Sequence, residues 1–430
     1  MNSSKTTNNI FLTATDCFIL ALEEHDKHIG TSGNTCRYVL ELEGRLNCDE
    51  FKKKLKINSD TQKLASFSIN KGSPFTIPKW QSNPDFEVEV NTHETDLFLP
   101  DVILNKIISS DKITLFAFDI LYKSNGNSTL IFSWNHLLMD GYGAVLYLKQ
   151  LNGFGKENNF VSENTTIKLN FENLKEATKA KFFLSRTAKN PTSSISHKTK
   201  YKKVNQKIKV IRFTKEETDQ IDIKAPLIGA KFGLSAYYIA CSARGVKKIL
   251  DERKSTIKNL WIPVPQNQRK KGALGPLLGN HLSFLFYRLN NLTLNSLEQT
   301  VKSINDQMVN QVRKGMPKAY DVLMNFIKRI PSSLYYQLIK GPQGRSLSGF
   351  LCTVAEEHPA ELFNFDGLKV LDALSFPPNT YPPGLTFAYM RFHGQLQLMM
   401  LYYDEVLSES EANSLENQIK FELIHGKSLM

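Results

Sequence analysis

The sequence holds only five cysteines in 430 residues: Cys17, Cys36, Cys48, Cys241 and Cys352. They are odd in number, scattered, and never spaced as a CxxC pair, so neither a disulfide framework nor a cysteine-based zinc site is signalled. No H-E-x-x-H run occurs and no glycine-rich phosphate loop, and no metal is expected. No window approaches the roughly 18 unbroken apolar residues of a membrane span. An export signal is not expected either, since Asp16 and Glu23 flank the short apolar run Phe18–Leu22 and Met1–Asn9 is polar. The expectation is a cytoplasmic protein in a reducing compartment, with a peripheral membrane contact left open.

What is present is an ordinary globular composition. Hydrophobic residues make up 41% and charged residues 22%, which argues against extensive disorder. The chain is long for one core, and two lobes are expected. A net charge of +12 attracts anionic partners in general. The charge is concentrated between Lys175 and Arg212, where Lys198, Lys200, Lys202 and Lys203 follow Pro191, Ser193, Ser194 and Ser196. That stretch reads as a solvated basic linker. No nucleic-acid motif is recognisable, and nucleic acid is not an expected partner.

Strands and helices alternate along the chain, placing it in the α/β class. Leu12-Thr13-Ala14-Thr15-Asp16 is set to cap a short helix, and Arg37–Gly44 alternates as a strand. Ile113–Leu121 and Thr129–Trp134 form a hairpin around Asn125-Gly126, a pair suited to the positive φ angles of a tight turn. Farther on, Ile208–Phe213, Leu260–Pro265 and His281–Leu289 read as strands, and Lys231–Leu250 as a long helix. Capping-box patterns at Ser296 and Ser408 start two more helices. Leu385–Arg391 and Gln395–Tyr403, followed by the last helix, repeat the order of Ile113–Leu148. In that overlay Ser133-Trp134-Asn135-His136 falls on Leu401-Tyr402-Tyr403-Asp404.

The chemistry concentrates in Trp134-Asn135-His136-Leu137-Leu138-Met139-Asp140-Gly141. A strand delivers His136 to its end, and Asp140-Gly141 turns the chain into the apolar helix that contains Ala144–Leu148. An imidazole there suits general-base work, because its pKa lies near the operating pH. A structural histidine in a strand-to-helix turn is the competing reading. Asp140 can serve as the N-cap, and Gly141 can permit a tight turn.

His136, Asp140 and Gly141 make an HxxxDG motif. It is accompanied, in order, by Leu12–Asp16, Leu40–Gly44, Ile262-Pro263-Val264-Pro265, Arg269, Leu274–His281 and Tyr402–Ser408. Together these resemble the acyltransferases of the chloramphenicol acetyltransferase-like fold. The likeness is strongest to the wax ester synthase/diacylglycerol acyltransferase group and to nonribosomal peptide condensation domains. Many members carry two adjacent histidines where this chain has Asn135-His136, and the second is the one expected to react. The Asp-Phe-Gly-Trp-Gly motif of the plant branch is absent.

The resemblance implies two α/β lobes with mixed sheets flanked by helices and a tunnel between them: residues 1–170, a basic crossover at 171–206, and residues 207–430. It implies that His136 deprotonates a hydroxyl or amine that attacks an acyl thioester, with Asp140 supporting the geometry through an arginine. Asn135, Gly141, Asn280 and Thr353 are the expected substrate-binding positions, Thr353 as an oxyanion donor. No bound cofactor is implied. Acyl-CoA or an acyl carrier protein would be the co-substrate, and a small-molecule or lipid-like compound the acceptor. The alternatives are condensation-type amide formation on carrier-bound substrates and a silent member that only binds acyl chains or carriers. Cys241 and Cys352 are the rival nucleophiles, with buried structural thiols as the plainer reading.

Overall fold

The computed structural model describes residues 10–31, 33–155, 160, 161, 168, 170–188, 192–196, 204–255, 257–339 and 348–427. After the two-residue strand β1 (Ile10–Phe11), Thr13 caps α1 (Ala14–Ile29). Its hydroxyl accepts the Asp16 amide, and the Asp16 carboxylate accepts the Thr13 amide, so two end groups of the helix are satisfied reciprocally. The helix runs 16 residues, longer than the short one expected, because its apolar face continues through Ile19, Leu20 and Ala21 before Gly30 ends it at φ 73°.

β2 (Thr35–Leu42) leads to α2 (Cys48–Ile57), capped by Asn47, and to α3 (Ser59–Ser66). Then come β3 (Phe67–Asn70), β4 (Lys79–Ser82), β5 (Glu89–Glu94) and α4 (Asp101–Leu104). The expected hairpin is β6 (Phe116–Tyr122) and β7 (Ser128–Asn135), with Gly126 at φ 85° in its turn. α5 (Gly141–Leu151) and α6 (Phe171–Ala188) complete the first half.

The second half holds β8 (Gln206–Arg212), α7 (Lys215–Leu227), α8 (Ser235–Glu252), β9 (Asn259–Asn267) and β10 (Leu282–Asn290). Three helices follow, α9 (Leu297–Arg313), α10 (Met316–Ile327) and α11 (Ser332–Ile339). The chain closes with β11 (Leu351–Glu357), β12 (Asn364–Phe365), β13 (Leu368–Phe376), β14 (Leu385–Phe392), β15 (Gln395–Tyr403) and α12 (Glu409–His425).

Two larger sheets organise these elements. One has the order β12-β13-β2-β7-β6-β5, the other β11-β14-β15-β8, and β9 and β10 pair antiparallel apart from both. Every residue of β6 and β7 is buried, as befits strands covered on both faces. The first sheet is completed by β13, which pairs antiparallel with β2, Leu374 opposite Val39. Residues 364–376 therefore leave the second half and join the first, a strand exchange that a division at residue 206 does not contain. Val39, Ile131, Leu374 and Phe376 from the first sheet share a core cluster with Met390, Met399 and Leu401 from the second.

The hairpin-then-helix order β6-β7-α5 recurs as β14-β15-α12. At the overlaid end of β15, Asp404 is exposed and bonds Asn205. α12 lies so close to α8 that a Cβ at Gly245 would sit 2.8 Å from both Leu415 and Ile419.

The basic stretch departs from its reading as a solvated linker. Residues 171–188 form α6, which buries Ala177 and Ala180 and packs Phe183 and Leu184 against Met316, Ala319 and Tyr320. Alanines three apart gave that helix a seat that the surrounding charge concealed. Pro191, Lys198, Lys200, Lys202 and Lys203 lie outside the described residues. No helix among the described residues is long and apolar enough to cross a membrane.

Candidate active site

β7 is held on both sides to its last residues, by Cys36 and Thr35 of β2 and by Phe116 of β6. Its end is then fixed by backbone bonds. The Asn135 amide donates to the Leu115 carbonyl and the His136 amide to the Asn34 carbonyl, each at 2.8 Å. The Asn135 side chain accepts the Leu137 amide at 2.9 Å and donates to Glu23 and to the Ile108 carbonyl at 2.8 and 2.7 Å. This residue is fully buried with its amide spent on protein groups. It braces the strand end, which corrects the expectation that it lines a substrate site.

The His136 ring is only partly exposed. Its Nδ1 lies 3.3 Å from the Met139 carbonyl, which also accepts the Trp134 indole N–H at 2.9 Å. A carbonyl can only accept, so this contact places the proton on Nδ1 and leaves the Nε2 lone pair free for a substrate proton. Burial lowers the His136 pKa below its ordinary 6.5; the Met139 carbonyl and the charges of Asp140 and Asp16 oppose the shift without reversing it. The ring is therefore neutral, the form a base needs, at pH 7. The expected pH profile of kcat/KM is flat near neutrality and falls on an acid limb whose midpoint lies below 6.5. Initial rates from pH 5 to 8 check this; a limb centred above 7 would contradict it.

Asp140 caps α5 by accepting the Gly143 amide at 2.9 Å. Its other oxygen meets Arg269 Nη1 at 2.7 Å and the His281 amide at 3.0 Å. Both side chains of the pair are only 2% exposed. Burial alone would raise the Asp140 pKa, but the Arg269 charge and these hydrogen bonds outweigh it and hold the carboxyl below its usual range. Arg269 also donates to the Pro276 carbonyl through Nη2 at 2.9 Å. Asp140 thus clamps the loop of residues 269–281 onto the HxxxDG turn and does not touch Nε2.

The same two segments are sewn together again at Gly279 and Asn280. Gly279 donates to the Leu138 carbonyl at 2.8 Å and bridges Met139. Asn280 donates through Nδ2 to the His136 carbonyl at 2.7 Å and to Asp16 at 2.9 Å, and through its backbone amide to Asp16 at 2.8 Å. Asn280 therefore positions His136 from behind. Gly279 has φ +81°, and a Cβ on it would lie 3.0 Å from the Asp16 carboxylate. Gly279→Ala is expected to cost about 2 kcal/mol, from the left-handed backbone and the buried carboxylate together. Gly141 is the contrast, since its φ is ordinary and a Cβ there meets nothing within 4 Å. The tight-turn reading of Gly141 is corrected; the crowded position is Gly143, 3.0 Å from the Leu277 carbonyl. Gly141→Ala should leave stability within ~0.5 kcal/mol. Urea melts of the two variants separate these cases, and equal losses would contradict the assignment.

Thr353 lies on β11, paired with Ala388 of β14, and no hydrogen bond among the described residues joins it to the His136 cluster. Cys241 and Cys352 are fully buried and burial pushes both thiols up, which removes them as nucleophiles. No group of residues suited to a metal ion occurs among the described residues. His358, also buried, accepts from the Tyr38 hydroxyl and donates to the Leu362 carbonyl, so both ring nitrogens are spent.

Sequence reading missed Glu23, Asn34 and the bracing role of Asp16. Glu23 joins Asn135, the Ser110 amide and Lys27 while almost wholly buried. The available signal was acids at positions 16 and 23, seven apart on the apolar face of α1. A cavity of about 150 Å³ lies against this strand end, lined by Glu23, Lys27, Gly30, Asn34, Ile107 and Ile108 among others. Asn34 and Ile108 are the residues whose carbonyls hold His136 and Asn135.

No family model matches the sequence, and no curated protein does. Solved structures do match in shape. The first condensation domain of the CDA synthetase superposes with a TM-score of 0.69 at 13% identity, covering 98% of this chain and 96% of that one. A trichothecene 15-O-acetyltransferase from Fusarium sporotrichioides gives 0.71 at 12%, covering 98% and 95%. The starter condensation domain of rhizomide synthetase, in complex with C8-CoA, gives 0.65 at 13%, covering 99% and 96%. Sequence identity is too low to carry activity across, but nearly the whole chain is spanned in each case. The chain has the two-lobed chloramphenicol acetyltransferase-like fold that these condensation domains and this acetyltransferase share.

Proposed function

We propose that the chain is an acyltransferase that moves an acyl group from a thioester to a hydroxyl or amine, with His136 as general base. The observation that carries this reading is the His136 ring itself: part-buried at a strand end, neutral, and with Nδ1 engaged so that Nε2 is the free base. Nε2 takes the acceptor's proton as the acceptor oxygen or nitrogen attacks the thioester carbonyl. The tetrahedral intermediate collapses, the carbon–sulfur bond breaks, and the thiolate leaves with the proton held on Nε2. The other polar groups around the ring act on position. Asp140–Arg269 clamps the 269–281 loop, and Asn280 fixes the His136 carbonyl.

The substrates would meet in a tunnel between the lobes, the donor from one mouth and the acceptor from the other. The donor is acyl-CoA or an acyl carrier protein, and the net charge of +12 suits the phosphates of the first and the acidic surface of the second. The C8-CoA bound by one structural neighbour supports a thioester donor. The condensation domains among the neighbours keep amide formation on carrier-bound substrates as the second reading. Mass spectrometry separates them. The protein is incubated with acyl-CoAs of graded length, or with the same acyl groups on a carrier, plus mixed alcohols and amines. Ester or amide products from free CoA donors support the first reading, and products from carrier donors alone support the second. No product from either would overturn acyl transfer.

A further inference from the structure

α6 packs one face on α10 and leaves the other to solvent. The outward face carries Phe171, Leu174 and Phe182, which are 84%, 53% and 68% exposed. With Thr178 they fall at i, i+3, i+7 and i+11, one stripe about 16 Å long on a helix of 1.5 Å rise. Three large apolar side chains in one line on a solvent face are not scattered surface residues, and they lack a partner within the described fold. Lys175 and Arg186 flank the stripe on one side and Lys181 on the other. None of the three has an ion pair among the described residues, whereas Lys179, nearer the packed face, is bound to Glu176 at 2.9 Å.

We propose that this outward face of α6 is a docking surface for an anionic membrane. The apolar residues form the crest of a convex helix with cations on both flanks. That arrangement lets side chains enter the acyl-chain boundary while ammonium and guanidinium groups meet headgroup phosphates. A folded acidic protein would need a groove to receive such a crest, and the packing of Ala180, Phe183 and Leu184 on Met316, Ala319 and Tyr320 shows which face is already committed. The assignment stands independently of the acyl-transfer reading, because it uses none of the residues around His136.

The test is co-sedimentation of the full chain with phosphatidylcholine vesicles, pure or containing about a third phosphatidylserine, at low salt. Wild type should bind the anionic vesicles and not the pure ones. Phe171→Gln/Leu174→Gln/Phe182→Gln and Lys175→Gln/Lys181→Gln/Arg186→Gln should each lose ~10-fold or more in vesicle affinity. Circular dichroism and thermal melting should match wild type, as these side chains bear no packing load. Wild type that ignores anionic vesicles, or binding that survives the apolar substitutions, would overturn the proposal. So would tighter capture of an acidic acyl carrier protein through the same six residues.

Discussion

His136→Ala is expected to lower kcat for acyl transfer by ~10³, the range of a positioned general base, while KM for the thioester changes by less than about threefold. The ring makes one long contact, 3.3 Å from Nδ1 to the Met139 carbonyl. The residue's structural bonds run through its backbone, the amide to Asn34 and the carbonyl from Asn280. Removing the imidazole therefore deletes the base and leaves the strand end standing, with stability within about 1 kcal/mol of wild type. The acid limb of the pH profile should vanish with it. Stopped-flow or plate-reader rates together with a urea melt read all three quantities.

Asp140→Ala should be the most destabilising single change at the site, by about 3–5 kcal/mol. It strands the Arg269 guanidinium, 2% exposed, without a counter-charge. It also removes the cap that receives the Gly143 amide and the acceptor of the His281 amide. Arg269→Met alone leaves a buried carboxylate that can still cap α5, so its cost is expected to be smaller. The double variant Asp140→Ala/Arg269→Met should then be more stable than Asp140→Ala, since no charge is left buried. Urea unfolding of the four proteins closes the cycle; additive losses would show that the pair is not the clamp described here. Activity should fall in every variant, because the 269–281 loop carries Asn280 against His136.

Much of this was readable from the sequence where chemistry and local geometry coincide. The alternating run before His136, the Asp-Gly after it and the Asn-Gly turn specify a hairpin that ends in a turn and a helix, and β6, β7 and α5 follow that plan. Arg269 and Asn280 could be named in order along the chain, but that they meet Asp140 and the His136 carbonyl is set by folding across more than 120 residues. Glu23 was invisible for a related reason. A carboxylate on an apolar helix reads as a solvated charge until Asn135 and the Ser110 amide arrive from other segments. The move of β13 into the first sheet was equally hidden, because a buried strand carries the same alternation in whichever sheet it lies. At Gly141 local reading misled, since a glycine after aspartate suggests a turn constraint, and only the surrounding atoms show that the crowding falls on Gly143.

The most direct test of the central claim is free-thiol release from an acyl-CoA panel, with and without alcohol and amine acceptors, for wild type beside His136→Ala. The account predicts release that depends on the acceptor in wild type, that fades as the pH falls below 6.5, and that is lost in the variant. Equal acceptor-dependent rates in the two proteins would contradict it, and would take the proton transfer away from His136.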